Sequence, residues 1–305
     1  MPGGRRIVGD MTNIGEQAKP PFAVLPDPST LFHTRAERFR ALAPGHELAP
    51  YLGFLGVLAT AQHEIIADLP APSLPPADRM AQSLTHGMPA LARAQLEPDA
   101  TMLSTVELFA DRLAAAPLPD ATAASVAALR RMLTERGADA IAAILKDAAP
   151  PGDVAVHVLA LAGLQVHFTR LAAMLDAKAL KPVANAACPA CGSPPMASAV
   201  VGWPKAYNTR YCTCGLCATM WNVIRVTCVL CGTPEGVSFR SIEGQADTVK
   251  AETCESCRSY VKIIYPVKDA ALEPLCDDVA SVGLDMLLTE EGWKRGGHNP
   301  FLLGY

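Results

Sequence analysis

Cys188-Pro-Ala-Cys191-Gly-Ser-Pro and, forty residues further on, Cys228-Val-Leu-Cys231-Gly-Thr-Pro are two copies of one phrase. The copy runs on beyond them. Cys214 and Cys217 return as Cys254 and Cys257, and Val223-Ile224 returns as Ile263-Ile264, at the same offset. The region is a tandem duplication of one short unit. Two cysteines with two residues between them in a tight turn point both thiolates at one ion. A glycine after the second cysteine lets the backbone bend so that amides face the sulfurs. One turn makes half of a tetrahedral site and a second turn, after room for a short hairpin, completes it. The expected ligand sets are therefore Cys188, Cys191, Cys214 and Cys217, then Cys228, Cys231, Cys254 and Cys257. No histidine occurs between His167 and His298, so both sites are all-thiolate and closed, in the manner of a zinc ribbon or a rubredoxin knuckle pair.

Four thiolates suit zinc and also tetrahedral iron, so the expectation is two ions per chain, iron or zinc. A disulfide framework is the competing reading of paired cysteines, but it belongs to secreted chains, and no secretory leader is visible. Arg5-Arg6 is followed by Ile7-Val8-Gly9-Asp10 and no apolar run, unlike an export signal. A thioredoxin-like redox pair needs one such motif at the start of a βαβ unit, not four. Cys212 and Cys276 stand outside the repeat; Cys212, two residues before Cys214, is placed to neighbour the first site.

Upstream the composition is different. From Ser29 to about Leu180 there is no cysteine and no tryptophan, and apolar residues recur at helical spacing between prolines and glycines. Helices are expected over Leu31–Leu42, from Pro50 to Ile66, and at about 77–95 and 98–116. Two short ones follow at Ser125–Leu133 and Asp139–Leu145, then a long apolar one over Val154–Ala177. After residue 270, Leu275, Val279, Val282, Met286 and Leu287 restore the helical period up to Gly292. The fold class is α+β multidomain. Residues 1–25 read as a mobile tail, 26–180 as an all-α domain, 185–226 and 227–268 as two rubredoxin-like metal-binding units, and 270–305 as a C-terminal helix and tail.

Half of the 305 residues are hydrophobic and mean hydropathy is +0.20. Alanine carries much of that, and Val154–Phe168 is interrupted by His157, Gln165 and His167, so no membrane span is expected where about 20 apolar residues are required. Net charge is −4, and Lys/Arg nearly balance Asp/Glu between 188 and 257, so no nucleic-acid partner is expected. No phosphate loop, nucleophile elbow or carboxylate pair with a base is present, which argues against an enzyme. His157 and His167 lie too loosely on one helical face to make a site, and His63-Glu64 lacks the spacing of a metal helix.

A set of motifs resembles the formate dehydrogenase accessory protein family, FdhE. It comprises Cys-Pro-x-Cys-Gly-Ser at 188–193, Arg210-Tyr211 before Cys214-x-x-Cys217, Trp221 and Arg225-Val226 before Cys228, and Lys250-Ala251-Glu252-x-Cys254-x-x-Cys257. Lys262-Ile263 with Tyr265, Asp277-Asp278-Val279-Ala280-Ser281, Glu291-Gly292-Trp293 and Asn299-Pro300-Phe301-Leu302 follow, and Arg35-Ala36-Glu37-Arg38 precedes them all. The resemblance implies a non-catalytic cytoplasmic factor needed for active formate dehydrogenase. It would bind the molybdenum- or tungsten-containing catalytic subunit before assembly or export, with iron associated with the knuckles. Arg210, Trp221, Arg225 and Tyr260, beside the ligands, are the candidate partner contacts, since Arg and aromatic side chains anchor interfaces. The alternative functions are a rubredoxin-like electron carrier or redox sensor and, further off, a nucleic-acid-binding zinc ribbon.

Overall fold

Asp27 begins the helical region. Its carboxylate accepts from the Ser29 amide at 2.9 Å, and Pro28 takes the first turn of helix α1 (Pro28–Leu42), where no amide is needed. The computed structural model describes residues 19–148, 154–183 and 186–303. Five further helices follow: α2 (Ala49–Glu64), α3 (Ala77–Thr85), α4 (Ala100–Ala114), α5 (Asp120–Leu145) and α6 (Val154–Ala173). Helix α6 is the centre of the packing. By length and composition alone it is long and apolar enough to cross a membrane, despite its polar interruptions. Yet most of that stretch is buried, with Gln165 bonded to Gln62 and to the Gly215 carbonyl.

Three local expectations are adjusted. The two short helices expected around Ser125 and Asp139 both lie in α5, where non-helical backbone at Arg136 (φ −155°, ψ 37°), next to Gly137, separates them, and the first begins earlier, at Asp120. The helix expected over 77–95 stops at Thr85, because Gly87 takes φ 66° and Pro89 follows. The tail expected to be mobile to residue 25 is ordered earlier: strand β1 (Ala23–Val24) pairs antiparallel with Trp221 and Met220. The rest of that tail, residues 1–18 with Arg5 and Arg6, lies outside the described residues.

The duplicated units are β2 (Pro195–Val201), β3 (Thr209–Cys214) and β4 (Met220–Asn222), then β5 (Val237–Arg240), β6 (Val249–Cys254) and β7 (Ser259–Ile264). They form one sheet, not two separate ones, in the order β1-β4-β3-β2-β7-β6-β5. The join is parallel: Ser198 stands opposite Ile263 and Ala199 opposite Ile264. A short β8 (Lys294–Arg295) lies beside β7.

The expected single C-terminal helix is two, α7 (Pro274–Ala280) and α8 (Val282–Glu290). Ser281 separates them: its hydroxyl bonds back to the Asp277 carbonyl at 2.7 Å and accepts from Lys262 at 3.0 Å. Helix α7 is clamped to α1 by Arg35–Glu273 at 2.9 Å and Arg38–Asp277 at 2.5 Å. It is clamped to β7 by Lys262, whose ammonium lies 3.1 Å from Asp278 and 2.5 Å from Asp285. Arg295 pairs with both aspartates from the other side, and Asn299 donates to Asp278 at 2.8 Å. Burial alone would push the Asp278 carboxyl up, but Lys262 and Arg295 more than offset it and hold it below the usual carboxylate range.

Candidate metal centre

Each unit closes its cysteines with the same turn. In the first turn of each, the amide of the first cysteine donates to a carbonyl five residues on: Cys188 to Ser193 and Cys228 to Thr233, both at 2.8 Å. The amides of Gly192 and Gly232 return to the carbonyls of Cys188 and Cys228 at 2.9 Å, with φ of 82° and 79°. That backbone is nearly free of cost only for glycine. The second turn of each unit puts Ala218 (φ 57°) and Arg258 (φ 54°) in the same left-handed position.

The turns bring the eight sulfurs into the two expected groups, each with its four Sγ atoms within 4.8 Å of one another. In the first group Cys188 and Cys217 are 3.5 Å apart, as are Cys191 and Cys214. In the second, Cys228–Cys257 is 3.8 Å and Cys231–Cys254 is 3.7 Å. A disulfide needs about 2.05 Å between sulfurs, and none of the ten cysteines forms one. A tetrahedron with metal–sulfur bonds of about 2.3 Å has edges of about 3.8 Å, so either group fits one thiophilic ion. The amides of Leu216 and Cys217 each lie 3.4 Å from the Cys214 sulfur, the donors a thiolate requires once it carries charge. Burial, foremost, pushes the Cys188 thiol well up, and it pushes Cys228 up to about 12. Burial acts on Cys214 and Cys254 too, but hydrogen bonds from neighbouring cysteines help to outweigh it, and both thiols lie below the usual range. A cation takes the place of the protons that such a group shares.

The two groups differ in their surroundings. The first is buried throughout, whereas Cys231 is exposed and Cys257 half-buried. Helical-region backbone covers the first knuckle: the amides of Ala90, Leu91 and Arg93 donate to the carbonyls of Pro189, Ala190 and Cys191 at 3.1, 2.7 and 2.9 Å. On the second turn, a side chain at Gly215 would meet the His298 carbonyl at 2.9 Å and Pro300 at 3.0 Å, so only glycine lets that segment close down.

Sequence reasoning missed one recurring pair of contacts. The Cys191 thiol donates to Ser193 at 3.3 Å and the Cys217 thiol to Thr219 at 3.2 Å. The signal was present: a hydroxyl residue follows the second cysteine by two positions in all four turns, as Ser193, Thr219, Thr233 and Ser259. Cys212 belongs to neither group. It is buried beside Ser198, and burial pushes its thiol up to about 11. Cys276 is buried at the start of α7, with its thiol 3.6 Å from the Arg35 carbonyl.

Of the four candidate partner contacts, three are interior. Arg210 is buried against Glu252, with Nη1 2.6 Å from one carboxylate oxygen and Nη2 donating to the other at 3.0 Å. Trp221 is buried opposite Cys212. Tyr260 is buried and donates to Asp285 at 2.7 Å. None of these three has surface to offer a partner; Arg225 alone is exposed. Their charge and aromaticity serve internal packing, and the Arg210–Glu252 pair joins the first unit to the second. Burial pushes the Glu252 carboxyl up, against the pull of Arg210.

Family models for the N-terminal, central and C-terminal domains of FdhE match residues 20–185, 187–225 and 226–302. The chain belongs to the FdhE family. An FdhE homologue from Rhizobium meliloti strain 1021 is 39% identical over 298 residues, covering 97% of each chain. FdhE of Salmonella dublin is 32% identical, with 92% of this chain and 91% of that one covered. The crystal structure of FdhE from Pseudomonas aeruginosa superposes with a TM-score of 0.80 at 32% identity, covering 93% of this chain and 99% of that one.

Proposed function

We propose that this chain is a non-catalytic accessory factor for formate dehydrogenase. It acts in the cytoplasm and binds the molybdenum- or tungsten-containing catalytic subunit during maturation or quality control, before assembly or export. Two ions, iron favoured over zinc, sit in the four-cysteine groups. The observation that carries this reading is the pair of four-cysteine groups in an FdhE-family chain. Once four thiolates are engaged, no position remains for water or substrate, so the groups hold structure rather than activate a reactant.

The test is capture of the purified catalytic subunit by the metal-loaded, full-length chain. Stoichiometric capture is expected, and no binding overturns the reading. Elemental analysis with visible absorption of anaerobically prepared protein tests the metal: two irons and a thiolate-to-iron colour are expected, and colourless zinc protein refutes iron.

One observation favours a second reading, that of an electron carrier. Cys231 is at the surface and Cys257 half-exposed, which would bring an iron in the second group near a redox partner. Reversible bleaching by that partner would support it.

A further inference from the structure

The far end of the β2–β3 hairpin and the segment that leads from β4 towards Cys228 carry an exposed surface that none of the described residues covers. Pro195 pairs with Cys214 at one end of the β2–β3 hairpin, and Val201 pairs with Thr209 at the other. The turn at that far end presents Trp203, 39% exposed, and Tyr207, 71% exposed. The strand leaving β4 presents Ile224 and Val226, 74% and 53% exposed. The two segments form one surface, because Arg225, between Ile224 and Val226, donates to the Asn208 carbonyl at 2.9 Å.

The turn is braced. Asn208 bonds back to Val201 at 2.8 Å, Ala206 to Trp203 at 2.9 Å and Thr209 to Ala206 at 3.1 Å, and the Trp203 ring packs at a tilt of 48° on Tyr211 with centroids 5.5 Å apart. Trp203, held in this way, would lose little entropy on binding. An isolated exposed apolar side chain means nothing, but four large ones around an arginine mark an interaction site.

Charge selects the occupant. Residues 202–209 and 223–227 contain Lys205 and Arg225 and no acid, in a chain of net charge −4. Beside them, where Gly202 abuts Val267, Asp247 is paired with both Lys250 and Lys268, so it does not cancel these cations. A two-fold pairing with a second copy would set these cations against themselves. A nucleic acid would gain from two cations but nothing from Ile224 or Val226.

We propose that this surface docks an acidic polypeptide segment with apolar anchors, carried by the partner protein. Tyr207 and Ile224 receive the anchors, and Lys205 and Arg225 meet the flanking carboxylates. The identity of that protein rests on the functional reading above.

The test measures the affinity of the metal-loaded, full-length chain for purified formate dehydrogenase catalytic subunit. It compares wild type, Tyr207→Ser/Ile224→Ser, Arg225→Glu, Arg225→Lys, and Met286→Ser/Leu287→Ser, which alters exposed residues of α8. All should keep two metals and the wild-type melting curve. Kd should rise about tenfold or more for the first two variants and stay near wild type for Arg225→Lys and the α8 variant. Wild-type affinity should fall as salt is raised. Failure of wild type to bind overturns the functional reading itself. Binding by wild type that Tyr207→Ser/Ile224→Ser and Arg225→Glu retain overturns the surface alone. Complex formation abolished by nuclease overturns the polypeptide occupant in favour of nucleic acid.

Discussion

Replacing Glu252 by Gln tests whether the two duplicated units are held by the buried charge between them. The Arg210 side chain is wholly enclosed and that of Glu252 nearly so. In the variant, the guanidinium keeps Ser198 at 2.9 Å and the carbonyls of Arg225 and Thr227 at 3.2 Å, but loses its counter-charge. Breaking a buried pair from one side costs about 3–5 kcal/mol. Gln retains one acceptor, so the expected loss is near the lower figure, and Glu252→Ala should approach the upper. A loss of about 3 kcal/mol lowers the midpoint by about 6 °C or more in a chain of this size. The assay is urea unfolding of the metal-loaded protein, with heat as a second axis. Because burial already pushes the Glu252 carboxyl up, the pair itself adds little over an apolar one. Arg210→Met with Glu252→Leu should therefore recover most of the loss, giving a large coupling in the double-mutant cycle. A Glu252→Gln cost under about 1 kcal/mol, where exposed pairs fall, would refute the claim that this pair joins the units.

Three more expectations follow from the same geometry. Cys217→Ser should empty the first group and leave the second loaded, so elemental analysis falls from two ions per chain to one; loss of both would break the assignment of two independent sites. A chelator added to folded protein should strip the second group, with Cys231 exposed, well before the first, and equal rates would contradict that difference in burial. Burial pushes His167 down to about 4. In the unfolded chain it titrates near 6.5, so between these values the unfolded state binds the extra proton and stability falls as pH drops from about 6.5 towards 4. The loss is about 3 kcal/mol, and His167→Phe should flatten that part of the pH profile.

The metal groups were legible because ligands obey a spacing, and a duplication displays the spacing twice. What lay beyond was decided by partners distant in sequence. Arg210, Trp221 and Tyr260 have the side chains of interface anchors, and only Glu252, the β1–β4 pairing and Asp285 show why they turn inward. The parallel β2–β7 join leaves no local mark, since Ser198 and Ile263 carry no sign of each other. Ala218 and Arg258 take the conformation that glycine advertises at Gly192 and Gly232, so half of the turns were announced by residue type and half were not. The break at Ser281 was hidden because the apolar period of α7 continues in phase into α8.

The cover on the first group gives this chain a timetable. Residues 90–93, which lie along its first knuckle, leave the ribosome long before Cys188 does. His298 and Pro300, which close on Gly215, are made only after the whole second unit and both C-terminal helices. Pro300 lies five residues from the end of the chain, so it is free to pack on Gly215 only once synthesis is complete, and until then the second turn of the first group stands without that cover. The second group, with Cys231 at the surface in the finished fold, depends on no such late segment for its exposure.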